Sequence, residues 1–418
     1  TIPSGPDAAN RLRLVTQDRT IGIVGGGQLA RMMAAAATGL GLRLRLLSEG
    51  PGTSAAQVIG DTVVGDYTDP ATLRAFAASC DAITFDHEHV PTAILHELEA
   101  AGVAVRPGPD ALVHAQDKAV MRARLSALGV PCPSWRVVAT PAELVAFAEQ
   151  TGWPVVAKLS RGGYDGKGVW KIDSDADAHV PFDALAGPLG PTERQADAAA
   201  SDSLGSGHER PVIVAEEYVP FVRELSALVV RRPGGQAVAY PVSESVQRDG
   251  ICHETTTPAP GLDPEHAERI QRTALAIAEE LGVVGVLAVE LMERPDGEAV
   301  VNELAMRPHN TGHWSIDGAV TSQFENHLRA VADLPLGDTG LRAPYVVMSN
   351  VLGGTRDDLV GALGVVLAED PTLRVQLYGK SVLPGRKVAH VTSYGSDLDA
   401  VARAARSASD YLEGRRDD

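Results

Sequence analysis

With 418 residues, the chain is longer than one compact core usually holds, so we expect two or three domains. Its formal net charge of −17 argues against general nucleic-acid binding, and apolar runs broken by glycine or charge argue against a transmembrane or membrane-bound protein. Three widely spaced cysteines form neither a disulfide framework nor a zinc motif, which favours a cytoplasmic location.

The N-terminal part begins with a polar segment, residues 1–19, which we predict to be a disordered tail. From residue 20 to 109, short apolar segments alternate with helical ones, and this alternation predicts a doubly wound parallel sheet covered by helices. The predicted strands are 21–24, 42–47, 58–64, 82–85 and 103–105, and the predicted helices are 28–38, 69–79 and 91–101.

A glycine turn follows the first predicted strand. Gly25-x-Gly27-x-x-Ala30 opens a helix, and Glu49 lies at the end of the second strand, which is close to the fingerprint of dinucleotide-binding domains. The pattern shows only that backbone amides at the start of a helix can accept an anion. An NAD-binding protein is one interpretation, and a doubly wound domain without a dinucleotide is the other.

The central part, residues 110–335, is predicted to be an α+β domain. Asp110 can cap a helix that runs to about Leu128. Residues 185–210 are rich in small and polar residues without an apolar period, so we expect a mobile surface insertion there. The predicted strands are 135–138, 155–158, 212–215, 224–230, 237–240, 283–292 and 299–304, and the predicted helices begin at 141 and cover 264–281 and 320–331.

A third, small α/β unit is predicted for residues 336–418. It begins with an apolar strand, 345–351, and ends in a polar helix with an Arg/Asp tail. Lys380, Arg386 and Lys387 place three cations within eight residues of an acidic chain. This cluster indicates either a local anion site or a solvated basic turn.

A glycine-rich loop follows the strand that ends at Lys158. Four glycines between residues 162 and 168 allow backbone amides to surround a polyphosphate, with Lys167 as an additional charge. The loop lacks the Gly-Lys-Ser/Thr ending of a Walker A motif, and a flexible hairpin is the alternative. Only six of the 37 basic residues are lysines, and a retained lysine suits a phosphate oxygen.

Two carboxylates, Glu290 and Glu303, lie among apolar residues on neighbouring predicted strands. Two buried carboxylates repel each other unless a cation lies between them. Asn302 adds an amide oxygen, and carboxylate and amide oxygens are ligands that Mg²⁺ accepts. Ion pairs with arginine are the alternative. Together with the glycine-rich loop, the carboxylate pair favours a Mg–ATP site.

The order of these parts resembles that of ATP-grasp enzymes. Within that superfamily, residues 20–395 resemble the N5-carboxyaminoimidazole ribonucleotide synthetases. The Tyr-Asp pair in the glycine-rich loop, residues 162–168 (the flap), and the string His-Asn-x-Gly-His-Trp separate this family from biotin carboxylases and from relatives that use formyl phosphate. The segments that carry the likeness are Gly162-Gly163-Tyr164-Asp165-Gly166-Lys167-Gly168, the string from Asn302 to Trp314, Tyr378-Gly379-Lys380 and Pro384-Gly385-Arg386-Lys387.

The resemblance implies an ATP-grasp fold between an N-terminal doubly wound domain and a small C-terminal domain. It implies a ligase that uses ATP and bicarbonate to carboxylate the amine of 5-aminoimidazole ribonucleotide through carboxyphosphate, in purine (IMP) biosynthesis, with Mg²⁺ as cofactor. It also implies a homodimer whose product passes to a separate mutase. Another ATP-grasp ligase or carboxylase with a different amine acceptor is the alternative.

The same resemblance implies the site residues. His114 and Gln247 stand where the family often has Arg and His. The implied ATP contacts are His114, Lys118, Lys158, Gly163, Tyr164, Asp165, Gly166, Lys167, Gly168, Val169, Glu216, Glu217, Tyr218, Val219, Glu224, Gln247, Asn302 and Glu303. The implied substrate contacts are Glu88, Tyr164, Asp165, Lys167, His309, Asn310, Lys380, Arg386 and Lys387. The implied metal ligands are Glu290, Asn302 and Glu303, and the implied catalytic residues are Lys158, Asp165 (orienting or deprotonating the amine) and Arg307 (clamping bicarbonate).

Overall fold

The structure is a computed structural model that describes residues 19–162, 167–186, 211–248 and 250–416. The predicted N-terminal tail up to residue 18 lies outside the described residues, as do residues 187–210 of the predicted insertion. The first two residues assigned to that insertion, 185 and 186, end a helix. Four flap residues also lie outside the described part: Gly163, Tyr164, Asp165 and Gly166.

The N-terminal part contains the predicted parallel sheet. Its four strands have the order β3-β2-β1-β4, and all neighbours are parallel. The predicted strand at 103–105 is reduced to one parallel bridge between Val105 and Ile83. The elements are β1 (Thr20–Val24), α1 (Gln28–Leu40), β2 (Arg43–Ser48), β3 (Thr62–Val64), α2 (Pro70–Ala77), β4 (Ala82–Phe85) and α3 (Thr92–Ala100).

Two helices, α4 (Pro109–Gln116) and α5 (Lys118–Ala127), replace the single helix that was predicted. The chain breaks at Asp117, which has an extended backbone (φ −131°, ψ 110°) and whose carboxylate accepts hydrogen bonds from the N–H groups of Ala119 and Val120. A carboxylate in this position caps a new helix. The prediction that Asp110 caps one long helix was therefore wrong.

The next unit is a small antiparallel sheet with the strand order β5-β8-β6-β7. Its inner face packs against helix α6 through a core that includes Leu144 and Phe147. The β7 strand was not predicted; its exposed position at the edge of the sheet explains its mixed pattern of burial. The elements are β5 (Trp135–Val138), α6 (Pro141–Thr151), β6 (Val155–Leu159), β7 (Val169–Ile172), α7 (Val180–Ala186) and β8 (Ile213–Glu217).

The largest unit is a nine-stranded antiparallel sheet with the order β14-β13-β9-β11-β12-β15-β17-β16, in which β10 also pairs with β9. Its strands are β9 (Arg223–Arg231), β10 (Ala237–Ala239), β11 (Ser243–Arg248), β12 (Ile251–Thr257), β13 (Gly285–Glu293), β14 (Ala299–Ala305), β15 (Tyr345–Leu352), β16 (Arg374–Leu377) and β17 (Lys387–Gly395). Strand β12 pairs with β15 from Glu254/Ser349 to Thr257/Val346, so strands of the predicted third unit extend the central sheet.

Five helices accompany this sheet. They are α8 (Pro264–Glu280), α9 (Ser315–Gly318), α10 (Gln323–Val331), α11 (Leu359–Glu369) and α12 (Leu398–Glu413). Helix α8 has Asp263 as its N-cap, and the Asp263 carboxylate accepts a hydrogen bond from the His266 N–H. Among the residues that the structure describes, no helix combines the length and apolar character needed to cross a membrane.

Candidate active site

Carboxylates of the protein occupy the glycine turn after β1. Asp86 Oδ2 accepts a hydrogen bond from Gly27 N at 2.8 Å, and Asp86 Oδ1 accepts one from Ala30 N at 2.8 Å. Glu49 Oε2 accepts from Gly26 N at 3.0 Å. In a dinucleotide-binding domain these amides would face a pyrophosphate. Because side chains already bond them here, the structure argues against the NAD interpretation.

We predict that Gly27→Ala destabilises the protein. A Cβ at Gly27 would lie 2.1 Å from Asp86 Oδ2, the atom that accepts the Gly27 N–H bond. Relieving this clash should cost about 1–3 kcal/mol of unfolding free energy, measured by urea denaturation. Gly39→Ala is the control, because a Cβ there would have no described atom within 4 Å beyond its chain neighbours and the backbone of its own helix; it should gain about 0.5–1 kcal/mol. Equal stability of the two variants would contradict the prediction.

Two of the three lysines predicted to bind nucleotide, Lys118 and Lys158, contact the middle of strand β14. Lys158 Nζ lies 3.0 Å from Asn302 Oδ1 and 2.8 Å from Glu216 Oε2. Lys118 Nζ donates to Glu303 Oε1 at 3.0 Å. These residues come from β6, β8, β14 and the start of α5. The fold therefore gathers cations and carboxylates from four segments at one place.

The surrounding positive charges keep the carboxylates of Glu216 and Glu303 ionised. Burial alone would raise the pKa of Glu216, but the charges of Lys158 and Arg122 outweigh it and lower that pKa to about 2. Burial also acts to raise the pKa of Glu303, and the charge of Lys118 brings it below its ordinary value. Both groups are thus hydrogen-bond acceptors at neutral pH.

Glu290 and Glu303 are direct cross-strand neighbours, as the sequence predicted. Glu224, on the adjoining strand β9, has a pKa raised to about 7 by burial and by the charge of Glu290. His309 Nε2 lies 3.1 Å from Glu290 Oε1, and His309 Nδ1 lies 2.8 Å from Thr311 Oγ1. The three glutamates thus form an acidic group on adjacent strands, in which Glu303 contacts Lys118.

The oxygen donors in this group suit Mg²⁺. Among the described residues, no cluster of three or more His, Cys, Asp or Glu side chains could hold a metal without other ligands. Glu290, Glu303 and Asn302 supply two carboxylates and an amide. Mg²⁺ is commonly bound by one or two carboxylates, with water and substrate phosphates completing the shell. The donor set therefore fits a metal that arrives with a nucleotide.

Arg307 and Glu88 link strand β14 to the N-terminal sheet. Arg307 Nε donates to Glu88 Oε2 at 2.9 Å, and Glu88 Oε1 accepts from Met306 N at 3.0 Å. Gln116 Nε2 donates to the Glu88 carbonyl oxygen at 2.9 Å. Burial would lower the pKa of Arg307, but the charge of Glu88 raises it overall. The guanidinium is held in one orientation between two units of the fold.

Residues 216–219, at the end of β8 and just after it, are here called the hinge, and they divide between buried and exposed positions. Glu217 forms an ion pair with Arg294. Tyr218 is exposed and has Lys171 Nζ 5.4 Å from its ring centroid, whereas Val219 is buried. The Tyr218 ring is thus exposed to solvent beside the Lys171 ammonium, just after the strand that carries Glu216.

Two other predicted nucleotide contacts have local hydrogen bonds. His114 Nδ1 lies 3.2 Å from the Ala111 carbonyl oxygen, and burial lowers the His114 pKa. Gln247 Nε2 donates to Ser245 Oγ at 3.1 Å, where the register of β11 shifts. The described end of the flap, residues 167–169, leads into β7, with Gly168 at φ +70°.

The predicted basic cluster contacts the N-terminal part. Lys380 Nζ donates to Gln28 Oε1 at the start of α1, and Gln57 Nε2 donates to the Gly379 carbonyl oxygen at 2.7 Å. Lys387 is partly buried at the start of β17, and Arg386 is exposed on the preceding turn. The structure thus brings the Lys380 segment to the glycine turn, while Arg386 remains at the surface.

Sequence reasoning missed three residues that organise this region: Asp86, Gln28 and Arg122. Asp86 follows a predicted strand, so its position at the sheet's carboxyl edge was an available signal. Arg122 lies four residues after Lys118, which places both on one face of a helix. The contact between Gln28 and the C-terminal segment had no local signal, because 352 residues separate the partners.

Three family models match the chain. The ribonucleotide synthetase preATP-grasp domain matches residues 18–116, the ATP-grasp domain matches residues 123–324, and the phosphoribosylaminoimidazole carboxylase C-terminal domain matches residues 346–404. These matches confirm the predicted fold class, an ATP-grasp domain between an N-terminal parallel-sheet domain and a small C-terminal domain.

Similar proteins cover most of the chain. The N5-carboxyaminoimidazole ribonucleotide synthase of Mycobacterium tuberculosis is 48% identical over 95% of this chain and 88% of its own length. That of Corynebacterium ammoniagenes is 46% identical over 94% of this chain and 91% of its own. The crystal structure of the Thermus thermophilus synthetase has a TM-score of 0.80 at 35% identity, covering 94% of this chain and 98% of that one. The Aspergillus clavatus synthase, solved with ADP and 5-aminoimidazole ribonucleotide, has a TM-score of 0.82 at 29% identity, covering 95% and 99%. The chain therefore belongs to the N5-carboxyaminoimidazole ribonucleotide synthases, a family of ATP-dependent ligases with the ATP-grasp fold.

Proposed function

We propose that the chain carboxylates the exocyclic amine of 5-aminoimidazole ribonucleotide with bicarbonate and ATP, forming N5-carboxyaminoimidazole ribonucleotide, ADP and phosphate in purine biosynthesis. The observation that carries the proposal is the convergence of Lys118, Lys158, Asn302 and Glu303 in a member of this family. A relative solved with ADP and 5-aminoimidazole ribonucleotide supports the choice of substrates.

Glu290, Asn302 and Glu303 are proposed to hold Mg²⁺, since they supply the oxygen donors described above. When bound, the metal would neutralise charge on the nucleotide phosphates. Lys158 would add a second cation there. It is held by Glu216 and Asn302, so its ammonium is already placed when the phosphoryl group is transferred. Lys118, which donates to Glu303 Oε1, would serve the same purpose.

The remaining proposed ATP contacts surround these residues. Glu224 would accept from a ribose hydroxyl, and the strand backbone at the hinge would bond the adenine edge. His114 and Gln247 would contribute polar contacts, and the flap would cover the phosphates through backbone amides and Lys167. The proposed hinge and flap contacts are Glu216, Glu217, Tyr218, Val219, Gly163, Tyr164, Asp165, Gly166, Lys167, Gly168 and Val169.

Arg307 is proposed to clamp bicarbonate. Its Nε is bonded to Glu88, and a planar guanidinium can present its other N–H groups to a carboxylate or phosphate in a bidentate grip. Bicarbonate oxygen would attack the γ-phosphate of ATP, forming carboxyphosphate and releasing ADP. The amine would then attack the carboxyl carbon, or CO₂ released from it, with loss of phosphate and a proton.

The ribonucleotide is proposed to lie between the N-terminal part, the flap and the C-terminal segment. Lys380, Arg386 and Lys387 would bind its 5′-phosphate, since phosphate needs local positive charge in a protein of net charge −17. Asp165 would orient the amine or accept its proton. The other proposed contacts are Glu88, Tyr164, Lys167, His309 and Asn310.

We also propose a cytoplasmic homodimer that releases its product to a separate mutase. The three cysteines are all described and are free thiols, which suits a reducing compartment. The dimer and the mutase rest on the family resemblance. Sedimentation of the purified protein would measure its mass, and a monomer at micromolar concentration would contradict the dimer.

The test of the proposed function is ADP release from MgATP and bicarbonate, with and without 5-aminoimidazole ribonucleotide. We expect strong stimulation by the ribonucleotide and an acid-labile carboxylated product. ATP turnover that ignores the ribonucleotide would keep the ATP-grasp ligase but transfer the reaction to another amine acceptor.

We predict that Asp165→Asn lowers turnover while leaving nucleotide binding largely intact. Asparagine retains the size of the side chain but is not a base, and general-base catalysis typically contributes about 10²–10⁴-fold. Steady-state turnover and the Kd for MgADP measure the two effects. Asp173→Asn is the control, since Asp173 lies beyond β7 and pairs with Lys171 at the surface. Unchanged turnover in Asp165→Asn would remove this residue from the mechanism.

A further inference from the structure

Arg122 lies at the centre of the buried contacts around the proposed nucleotide site. Its side chain is 0% exposed, and it is one helical turn after Lys118. Nε donates to Glu216 Oε1 at 2.7 Å, and the two terminal nitrogens donate to the carbonyl oxygens of Val301 and Asn302, each at 2.8 Å. A buried charge persists only when it is paired and hydrogen-bonded. This set of contacts therefore fixes the guanidinium in one orientation.

Strand β14 carries a β-bulge where the arginine contacts it. Glu303 pairs with Glu290, and Val301 pairs with Leu291, so the register shifts and Asn302 is the extra residue. A bulge locally bends a strand and redirects side chains, and bulges are common next to active sites. The two carbonyl groups that the arginine binds are those of the bulge itself.

The bulge explains how consecutive side chains serve one site. In a regular strand, neighbouring side chains point to opposite faces. Here Asn302 Oδ1 lies 3.0 Å from Lys158 Nζ, and Glu303 Oε1 lies 3.0 Å from Lys118 Nζ. Both side chains therefore reach the lysines that we assign to the nucleotide. A straightened strand would direct one of them away.

The same guanidinium also acts on Lys158. Glu216 is 2% exposed and divides its two carboxylate oxygens between Arg122 Nε and Lys158 Nζ. The arginine bond leaves Oε2 directed at the lysine, which holds the ammonium at the end of β6. The carboxylate of Glu216 thus serves to place Lys158, while the Glu216 backbone pairs with β5 and β6.

We propose that Arg122 is a positioning residue for the nucleotide site. It positions Lys158 through Glu216. It positions the side chains of Asn302 and Glu303 by donating hydrogen bonds to both carbonyl oxygens of the bulge. This role rests on the proposed function, in which those three residues contact MgATP. This role predicts that a substitution at Arg122 weakens binding of the nucleotide but not of the second substrate, 5-aminoimidazole ribonucleotide.

The experiment compares Arg122→Lys and Arg122→Met with Arg124→Met as the matched control. Arg124 lies on the same helix, is 40% exposed, and pairs with Glu280 at 3.2 Å. Lysine keeps the positive charge, but its donors are all on one nitrogen, so it cannot reproduce the three bonds that Arg122 makes from three separate nitrogens. We expect both Arg122 variants to raise the KM for MgATP and the Kd for MgADP by about 10- to 100-fold. The KM for 5-aminoimidazole ribonucleotide should stay within about twofold, and the control should match the wild type in all three constants.

The results distinguish a positioning role of Arg122 from a purely structural role, and both from a failure of the proposed nucleotide site. An equal rise of both KM values, or a lower Tm with an unchanged Kd for MgADP, would show that Arg122 has only a structural role. If Arg122→Met does not fold, Arg122→Lys gives the decision, since it retains the charge opposite Glu216. Lys158→Met tests the underlying assignment: if it too leaves the Kd for MgADP unchanged, the proposed nucleotide site fails, and not only the role of Arg122.

Discussion

Glu303→Gln should lower kcat/KM for the carboxylation by about 10²–10³-fold, because it removes an anionic ligand of the proposed Mg²⁺, which would offset the negative charge that develops in phosphoryl transfer. Glutamine keeps the volume and one oxygen of the side chain. It lacks the negative charge that faces Glu290 across the strand pair and bonds Lys118 Nζ at 3.0 Å. Both the proposed metal and the lysine lose a partner. Coupled measurement of ADP release, with titration of Mg²⁺, gives the effect on turnover and on metal dependence.

Glu298→Gln is the control for this variant. Glu298 lies just before β14, at the turn of the same hairpin, is 49% exposed, and has Oε2 3.4 Å from Arg294 Nη1. The substitution changes the net charge equally but lies at the surface, so activity should remain close to that of the wild type. If Glu303→Gln kept a third or more of the activity, Glu303 would not be a metal ligand in the reaction.

The N-terminal and central strands were predictable where apolar runs were short and bounded. Strands β1, β4 and β13 fall within two residues of their predicted limits, because buried strands are continuous apolar segments. Strand β11, with the sequence SESVQR, and β12, with ICHETTT, were not predicted. Their stability comes from pairing with β9 and β15, and a partner distant in sequence leaves no local pattern.

The residue types of the site could be predicted from the sequence, but the contacts between those residues could not. The loop, the lysines and the carboxylates each have a pattern of spacing that indicates phosphate or metal. The pairing of Lys158 with Glu216, and of Lys118 with Glu303, joins residues 58 and 185 positions apart. The bulge at Asn302 is a register shift between strands, which no single strand sequence reveals. Long-range geometry therefore had to come from the structure.

Two buried histidines should make the fold sensitive to acid. Burial lowers the pKa of His327 to about 3 and that of His390 to about 3. His327 Nδ1 accepts a hydrogen bond from Val286 N at 3.1 Å, so its proton is on Nε2, which lies 2.8 Å from Thr84 Oγ1. A second proton on Nδ1 would face the Val286 N–H. Because Thr84 belongs to β4 and Val286 to β13, protonation would loosen the contact between the N-terminal and central sheets.

The direction of the pH effect on stability follows from the protonation of histidine in the folded and the unfolded protein. An unfolded histidine takes up a proton below about pH 6.5, whereas the folded one does so only near pH 3. Its contribution to stability is complete above about pH 6.5 and falls by about 1.4 kcal/mol per pH unit as the pH drops towards 3. At pH 5, each histidine thus lowers the free energy of unfolding by about 2 kcal/mol relative to its value above pH 6.5. Glu224 acts in the opposite direction, because its folded pKa of about 7 favours the protonated, folded form below neutrality.

A variant isolates one histidine from these opposing contributions. His327→Asn keeps an acceptor for the Val286 N–H and removes the titrating group, so we expect lower stability at pH 7.5 but a smaller loss on going to pH 5. The difference between wild type and variant in that loss should be about 2 kcal/mol by urea denaturation. His96→Asn is the control, because His96 is 45% exposed and only 3.6 Å from Asp110 at the surface. Parallel pH curves for the wild type and His327→Asn would show that His327 does not remain neutral in the folded protein, and would remove it as the acid-sensitive contact between the sheets.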